Sequence, residues 1–267
     1  MMEPYISYKE IPNTIGLKPG ERVYLSSDLM ALAFTAKKNG ESFCIDEFVD
    51  AFQKQITSDG TLIIPTFHFD FSNKGKYDYC GTPSCTGALG NAALKRADFR
   101  RTKHPMHSFA VWGKDQELLC AMQNQNSFGM DSPFGYMQEK NVIQVMLGTD
   151  YQRSMTFVHY VEHMAEVPYR FYKEFTGEYV DADGIAAIRT YQYPARRLEL
   201  GSVERFNRIG KQLEEQGIAQ RYVINKISVT KVSLRESYPV IYEDAKYNMC
   251  RNLYDFEIDR EQIWEQD

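Results

Sequence analysis

The segment TFVHYVEH, residues 156–163, holds two imidazoles and a carboxylate at spacings that permit two kinds of chemistry. Histidines four apart share one face of a helix, so His159 and His163 could reach a single metal ion. Read as H-x-x-E-H, the segment matches the inverted zinc-protease motif, and a zinc-dependent amide hydrolase is one reading. A catalytic zinc wants a third protein ligand, for which Glu162 and Glu166 are the nearby carboxylates. The other chemistry is proton transfer. Glu162 stands three residues after His159, and a carboxylate beside an imidazole raises its basicity and fixes its tautomer, as a general base requires. A solvated His163 at the helix surface then explains the second histidine, and no metal is expected.

A second constellation is RRTKHPMHSFAVWG, residues 100–113. Arg100, Arg101 and Lys103, with the hydroxyls of Thr102 and Ser108, could hold a phosphate or pyrophosphate. His107 and Ser108 do not suit a nucleophile pair, because neighbours on a strand point to opposite faces. There is no Walker loop, no G-x-G-x-x-G and no G-x-S-x-G, which weighs against the commonest nucleotide-binding and hydrolase plans.

These residues need elements to hold them. The spacing predicts strands at 21–27, 61–67, 109–113 and 140–148, and a pair of strands beyond residue 217. It predicts helices after Asp28, over Ile45–Ile56, around 156–166, between Gly201 and Gly217, and from Arg235 to Leu253. Residues 68–90 read as a long loop with a short helix after Thr86. Strands alternating with helices give an α/β fold, a central sheet flanked by helices and partly buried on both faces.

Bulk composition sets wider limits. The 267 residues are 43% hydrophobic and 25% charged, ordinary for a globular chain. A net charge of −5 argues against a nucleic-acid partner and is compatible with a cationic ligand. Five cysteines form no C-x-x-C pair, and the start MMEPYISYKEIPN has no leader signature, so a reduced, cytoplasmic setting is expected. The longest apolar runs are too short to span a bilayer.

Taken in order, several blocks resemble the aminoglycoside 3-N-acetyltransferase family, antibiotic acetyltransferases distinct from the GNAT fold. GERVYLSSDLMALAF (20–34) is similar to its opening strand and serine turn, and SDGTLIIPTFHFDF (58–71) to its G-T-L-x-x-P-T-F block. Residues 82–113 resemble its T-P…H-P-x-H-S-F block. DSPFGYM (131–137) and LGTDYQRSMTFVHYVE (147–162) resemble its S-P-x-G and T-x-x-H-x-x-E blocks. VPYRFYKEFTG (167–177) looks like members found in surface-polysaccharide biosynthesis, and beyond about residue 178 the likeness is looser.

The resemblance implies one acetyltransferase domain over residues 1–267, with a mixed central sheet. It implies direct acetyl transfer from acetyl-CoA to an amine of an amino sugar. His159 would be the general base, with Glu162 or Asp150 stabilising its charged form and Thr156 offering a donor to the thioester oxygen. Asp150 departs from the spacing of drug-modifying members. CoA would lie along Ser26, Ser27, Thr66, Arg101, Thr102, His107 and Ser108. Arg189, Arg196, Arg197 and Arg205 favour a surface-polysaccharide precursor, which could be nucleotide-linked, over an aminoglycoside. A homo-oligomer is compatible with all of this.

Overall fold

The computed structural model describes residues 4–265, so the first three residues of the segment MMEPYISYKEIPN lie outside the described part. Short aliphatic runs become strands because each is flanked by turn residues and too short for a stable helix. In chain order these are β1 (Arg22–Ser27), β2 (Thr61–Pro65), β3 (Lys76–Asp78), β4 (Arg100–Arg101), β5 (Phe109–Gly113) and β6 (Ile143–Leu147). There follow β7 (Arg170–Val180), β8 (Ala186–Arg196), β9 (Val203–Glu204), β10 (Ala219–Ile224), β11 (Ile227–Ser233) and β12 (Tyr254–Asp255).

The main sheet runs β10-β11-β6-β1-β2-β5-β4. Its centre is parallel, β6 and β2 each lying beside β1, and its flanks are antiparallel. It is therefore mixed, as expected. Alternation along the strands fills both faces. Val23, Leu25, Leu62, Ile64, Val145 and Leu147 enter one core, while Tyr24, Ile63 and Met146 enter the other. Helices Leu29–Lys38 and Ile45–Ile56 cover the first face. Phe157–Ala165, Phe206–Glu215 and Leu234–Tyr247 cover the second. Each fully buried Phe or Val side chain stabilises this arrangement by about 1.5–3 kcal/mol.

Two features depart from the sequence reading. Residues 170–196 form a long hairpin, β7 and β8, extended by β3 parallel to β7. The segment 68–90 is accordingly not a plain loop, since it contributes β3 and a short helix Phe71–Lys74. Residues 219–233, beyond the point where the family likeness loosens, supply β10 and β11 to the main sheet.

Candidate active site

The parallel strands β1, β2 and β6 end on the same side, and in such sheets ligands bind outside those carboxyl ends. A cleft of about 980 Å³ lies there. Ser26, Ser27 and Asp28 line it at the end of β1, Pro65 and Phe67 at the end of β2, and Thr149, Arg153 and Thr156 after β6. Gly148 makes the turn out of β6 at φ 66, where a Cβ would lie 2.7 Å from the Asp28 carbonyl oxygen, so a side chain is excluded.

The cleft floor is a run of polar side chains on one sheet face. Gln144 donates to Ser26 Oγ at 3.3 Å and to the Ser154 carbonyl at 2.8 Å. Burial pushes the Tyr24 phenol up to about 12, with hydrogen bonds to Ser26 and Thr156 working against the rise. Ser27 Oγ is buried without a protein partner.

Thr156 opens the helix Phe157–Ala165, but its side chain caps no helix N–H. One turn further in, on the same face and about 4.5 Å along the axis, stands His159. Its Nδ1 lies 2.9 Å from Glu162 Oε2. The chain then reverses at Glu166, in the left-handed region at φ 53, and brings Tyr169 and Arg170 back against Glu162. Arg170 Nη2 is 2.8 Å from Glu162 Oε2, and the Tyr169 hydroxyl donates to Oε1 at 2.7 Å. Burial raises the Glu162 carboxyl, but Arg170, His159 and Tyr169 outweigh it and hold the group down to about 2.

The expected residues separate into two groups. Ser26, Ser27 and Thr156 line the cleft, and His159 and Glu162 form a bonded pair further along the helix that Thr156 opens, Glu162 lining a separate cavity of about 240 Å³. Asp150 is placed otherwise. It caps the short helix Tyr151–Ser154 through Arg153 N–H and accepts from Asn207 at 3.0 Å, so both its oxygens are engaged away from His159.

The phosphate-binding expectation for the 100–108 segment meets a different geometry. Strand alternation turns Arg101 inward, and it is buried. Its guanidinium donates to Ser108 Oγ and to the carbonyls of Thr66, Thr82 and Tyr79. Thr66 and Ser108 bond each other at 3.0 Å, and Thr102 accepts from Phe109 N–H. His107 is buried among Phe67, Phe128 and Tyr193 and bonds Ser127 at 2.9 Å. These side chains tie the β2 and β5 ends together beneath the cleft. Desolvation of a fully bonded guanidinium leaves it little to offer a phosphate. Arg153, which the sequence reading passed over, is the cation lining the cleft.

The zinc reading fares no better. His163 Nδ1 bonds the Tyr172 hydroxyl at 2.7 Å, and a guanidinium stands 2.9 Å from His159 Nδ1, where it would repel a metal cation. Among the described residues no group of three or more His, Cys, Asp or Glu could hold a metal ion. No helix there is long and apolar enough to cross a membrane. The cations taken to favour a nucleotide-linked acceptor also have local partners. Arg196 pairs with Glu204 at 3.3 Å and Arg205 with Asp255 at 2.7 Å. Arg189 lies 4.2 Å over the Tyr179 ring, and Arg197 donates to the Pro168 carbonyl.

Sequence reasoning missed Tyr169, Arg170 and Tyr254, whose hydroxyl accepts from Arg170 at 3.0 Å. Arg170 lies within VPYRFYKEFTG, a block that carried the resemblance, yet nothing local marks it as a partner of Glu162.

Comparison with known proteins bears on the family and the fold. The sequence model of the aminoglycoside 3-N-acetyltransferase family matches residues 27–243. The SPbeta prophage-derived aminoglycoside N(3')-acetyltransferase-like protein YokD of Bacillus subtilis (strain 168) is 25% identical over 190 residues, 61% of this chain. That match spans 65% of YokD, just under two thirds of its length. The YokD crystal structure has a TM-score of 0.76 at 19% identity, covering 94% of this chain and 97% of that one. AAC-VIa with sisomicin bound gives 0.77 at 16% identity, covering 92% and 99%. AAC-IIIb in a binary complex with CoASH gives 0.73 at 15% identity, covering 88% and 93%. Matched along most of its length, with their mixed α/β fold, the chain belongs to the aminoglycoside 3-N-acetyltransferase family of acyltransferases.

Proposed function

We propose that the protein is an acetyl-CoA-dependent N-acetyltransferase whose acceptor is an amine of an aminoglycoside. One observation carries this reading: His159, bonded to buried Glu162, stands one helical turn from Thr156, which lines the main cleft. Family membership supports the reaction class. AAC-IIIb is described with CoASH and AAC-VIa with sisomicin, and the same two ligand classes are proposed here.

The cleft residues fit a CoA thioester. Ser27 has a buried hydroxyl free for a ligand, and Phe43, Ile45 and Phe67 offer an apolar wall. Arg153 supplies a cation for phosphate, and the first turn of the helix Leu29–Lys38 presents backbone N–H groups beside it. Bound acetyl-CoA would supply an acyl carbonyl activated as a thioester.

An ammonium acceptor is not nucleophilic until it loses a proton. His159 takes that proton at Nε2, while Nδ1–H stays directed at Glu162 Oε2. The amine nitrogen then bonds to the acyl carbon and gives up a second proton to solvent as the carbon–sulfur bond breaks, and the first proton passes from His159 to the departing sulfur. Negative charge gathering on the carbonyl oxygen needs a donor, and the Thr156 hydroxyl, which bonds Tyr24 but caps no helix N–H, is the residue proposed for it. Removing such a donor costs about 10²–10³ in rate. The transfer is direct, with amine and thioester held together.

An amino sugar of a surface-polysaccharide precursor is the second acceptor class. It ranks lower because the arginines that favoured it have intramolecular partners. All five cysteines are free, which suits a reducing compartment such as the cytoplasm. The test is thiol release from acetyl-CoA across aminoglycosides, free amino sugars and nucleotide-linked amino sugars. Turnover of aminoglycosides is the expected result. Turnover confined to nucleotide-linked sugars would transfer the assignment to the second class, and none with any amine would end it.

A further inference from the structure

We infer that Arg170 is a positioning residue that selects which ring nitrogen of His159 carries the proton and opposes ionisation of the ring. The inference rests on the proposed role of His159 as general base. Arg170 Nη2, Glu162 Oε2 and His159 Nδ1 form a triangle with sides of 2.8, 2.9 and 2.9 Å. Nη2 carries two N–H groups, and one is directed at the Tyr254 hydroxyl at 3.0 Å. Only one remains for the triangle.

If that N–H goes to Nδ1, the neutral ring is protonated at Nε2 and Glu162 Oε2 loses both its donors. If it goes to Oε2, Nδ1 must carry the ring proton and donate to the same oxygen. The second arrangement gives the carboxylate two charge-assisted or polarised bonds, and such bonds are about twice as strong as neutral ones. It therefore prevails, and Nε2 keeps the lone pair that a base needs.

Charge matters as much as geometry. Glu162 is fully buried and the Arg170 side chain is 4% exposed, so little solvent screens them. An unopposed carboxylate would favour the imidazolium and leave His159 already protonated at neutral pH. Arg170 cancels that field. The other titratable groups around the cluster are Tyr169 on β7, Tyr193 on β8, Tyr254 on β12, Cys250 and His107. Burial shifts Tyr169, Tyr254 and Cys250 upward and His107 downward, which keeps these four neutral near pH 7. Arg170 is the cation in direct contact with the pair, and His163, Glu166 and Arg197 line the adjoining cavity of about 240 Å³. The Pro194 carbonyl, accepting from Nη1 at 2.8 Å, holds it in place.

The test is ¹⁵N NMR of the histidine rings in the full chain, with the His159 signals assigned by their loss in His159→Asn. In the wild type the neutral ring is expected to carry its proton on Nδ1. In Arg170→Gln the titration midpoint of His159 should rise by about one pH unit or more, and the acid limb of kcat/KM should move with it. Arg170→Lys, which keeps the charge, should hold the midpoint near the wild-type value. An unmoved midpoint in Arg170→Gln would reduce Arg170 to a packing role. A neutral wild-type ring protonated on Nε2 would overturn the inference without any variant, so misfolding of Arg170→Gln cannot rescue it. Absence of acetyl transfer by the wild type would count against the proposed function alone, because the ring measurement stands apart from turnover.

Discussion

A guanidinium nitrogen of Arg170 lies 2.8 Å from Oε2 of Glu162, and both side chains are buried between the helix Phe157–Ala165 and the start of β7. A buried pair of this kind is costly to break from one side, because the remaining charge has no solvent to turn to.

Glu162→Gln leaves Arg170 as that uncompensated charge. The expected destabilisation is about 3–5 kcal/mol. Tyr169→Phe removes one bond to the other oxygen and should cost about 1 kcal/mol, up to twice that for a charged acceptor. Urea unfolding of both variants at neutral pH checks the ranking. Equal losses would mean that the ion pair is no more important than the phenol.

Acid stability follows from buried groups. Burial pulls His104 down from 6.5 to about 3, against a smaller opposing bond to the Gln125 backbone, and burial also carries His107 well below its ordinary range. Below about pH 6.5 the unfolded chain binds protons that these folded imidazoles refuse, so stability falls as pH falls toward 3. Each group contributes about 1.4 kcal/mol per pH unit within that window. Glu162, held near 2 against an ordinary 4.5, adds a term complete above pH 4.5 and lost as pH drops toward 2. Urea midpoints between about pH 4 and pH 8 should therefore decline on the acid side. His104→Asn, whose amide oxygen can accept the Met106 and His107 N–H bonds, should flatten the decline. A flat wild-type profile would contradict the burial of neutral imidazoles.

Two arginines are expected to exchange the roles that sequence alone suggests. Arg101→Ala deletes four hydrogen bonds and strands the Tyr79 and Thr82 carbonyls, so thermal stability falls sharply. In a folded fraction the KM for acetyl-CoA should barely change. Arg153→Ala should leave stability within about 0.5 kcal/mol and raise the acetyl-CoA KM by roughly tenfold, the loss of one charge-assisted phosphate contact. Melting curves and steady-state kinetics separate the two. A KM effect confined to Arg101 would restore the original phosphate assignment.

How far the sequence could be read follows from which signals are local. His159 and Glu162 are three apart on one helix, and Ser26 and Ser27 end an apolar strand, so their placement is written in short-range spacing. Arg101 is different. In the pair Arg100–Arg101, one member of a strand must face inward, and nothing in R-R-T-K says which. The hairpin β7–β8 escaped notice because few of its residues are buried, and charges interrupt the alternation that marks a half-buried strand. Tyr169 and Arg170 reach Glu162 only because the chain turns back at Glu166, a non-glycine residue at positive φ that no turn motif announces. Tyr254 arrives from the far end of the chain, beside β9, by tertiary packing alone.

One imidazole, bound to a buried carboxylate and poised to deprotonate an amine, underlies the whole account. The direct measurement pairs acetyl-CoA turnover with CoA binding in His159→Ala, using whichever amine the wild type accepts. The variant should lose about 10²–10⁴ in kcat while its Kd for CoA stays within about twofold, since the ring belongs to proton handling and Ser27 and Arg153 to the cleft. A variant that turns over at near wild-type rate, or one whose activity falls only because CoA no longer binds, would contradict it.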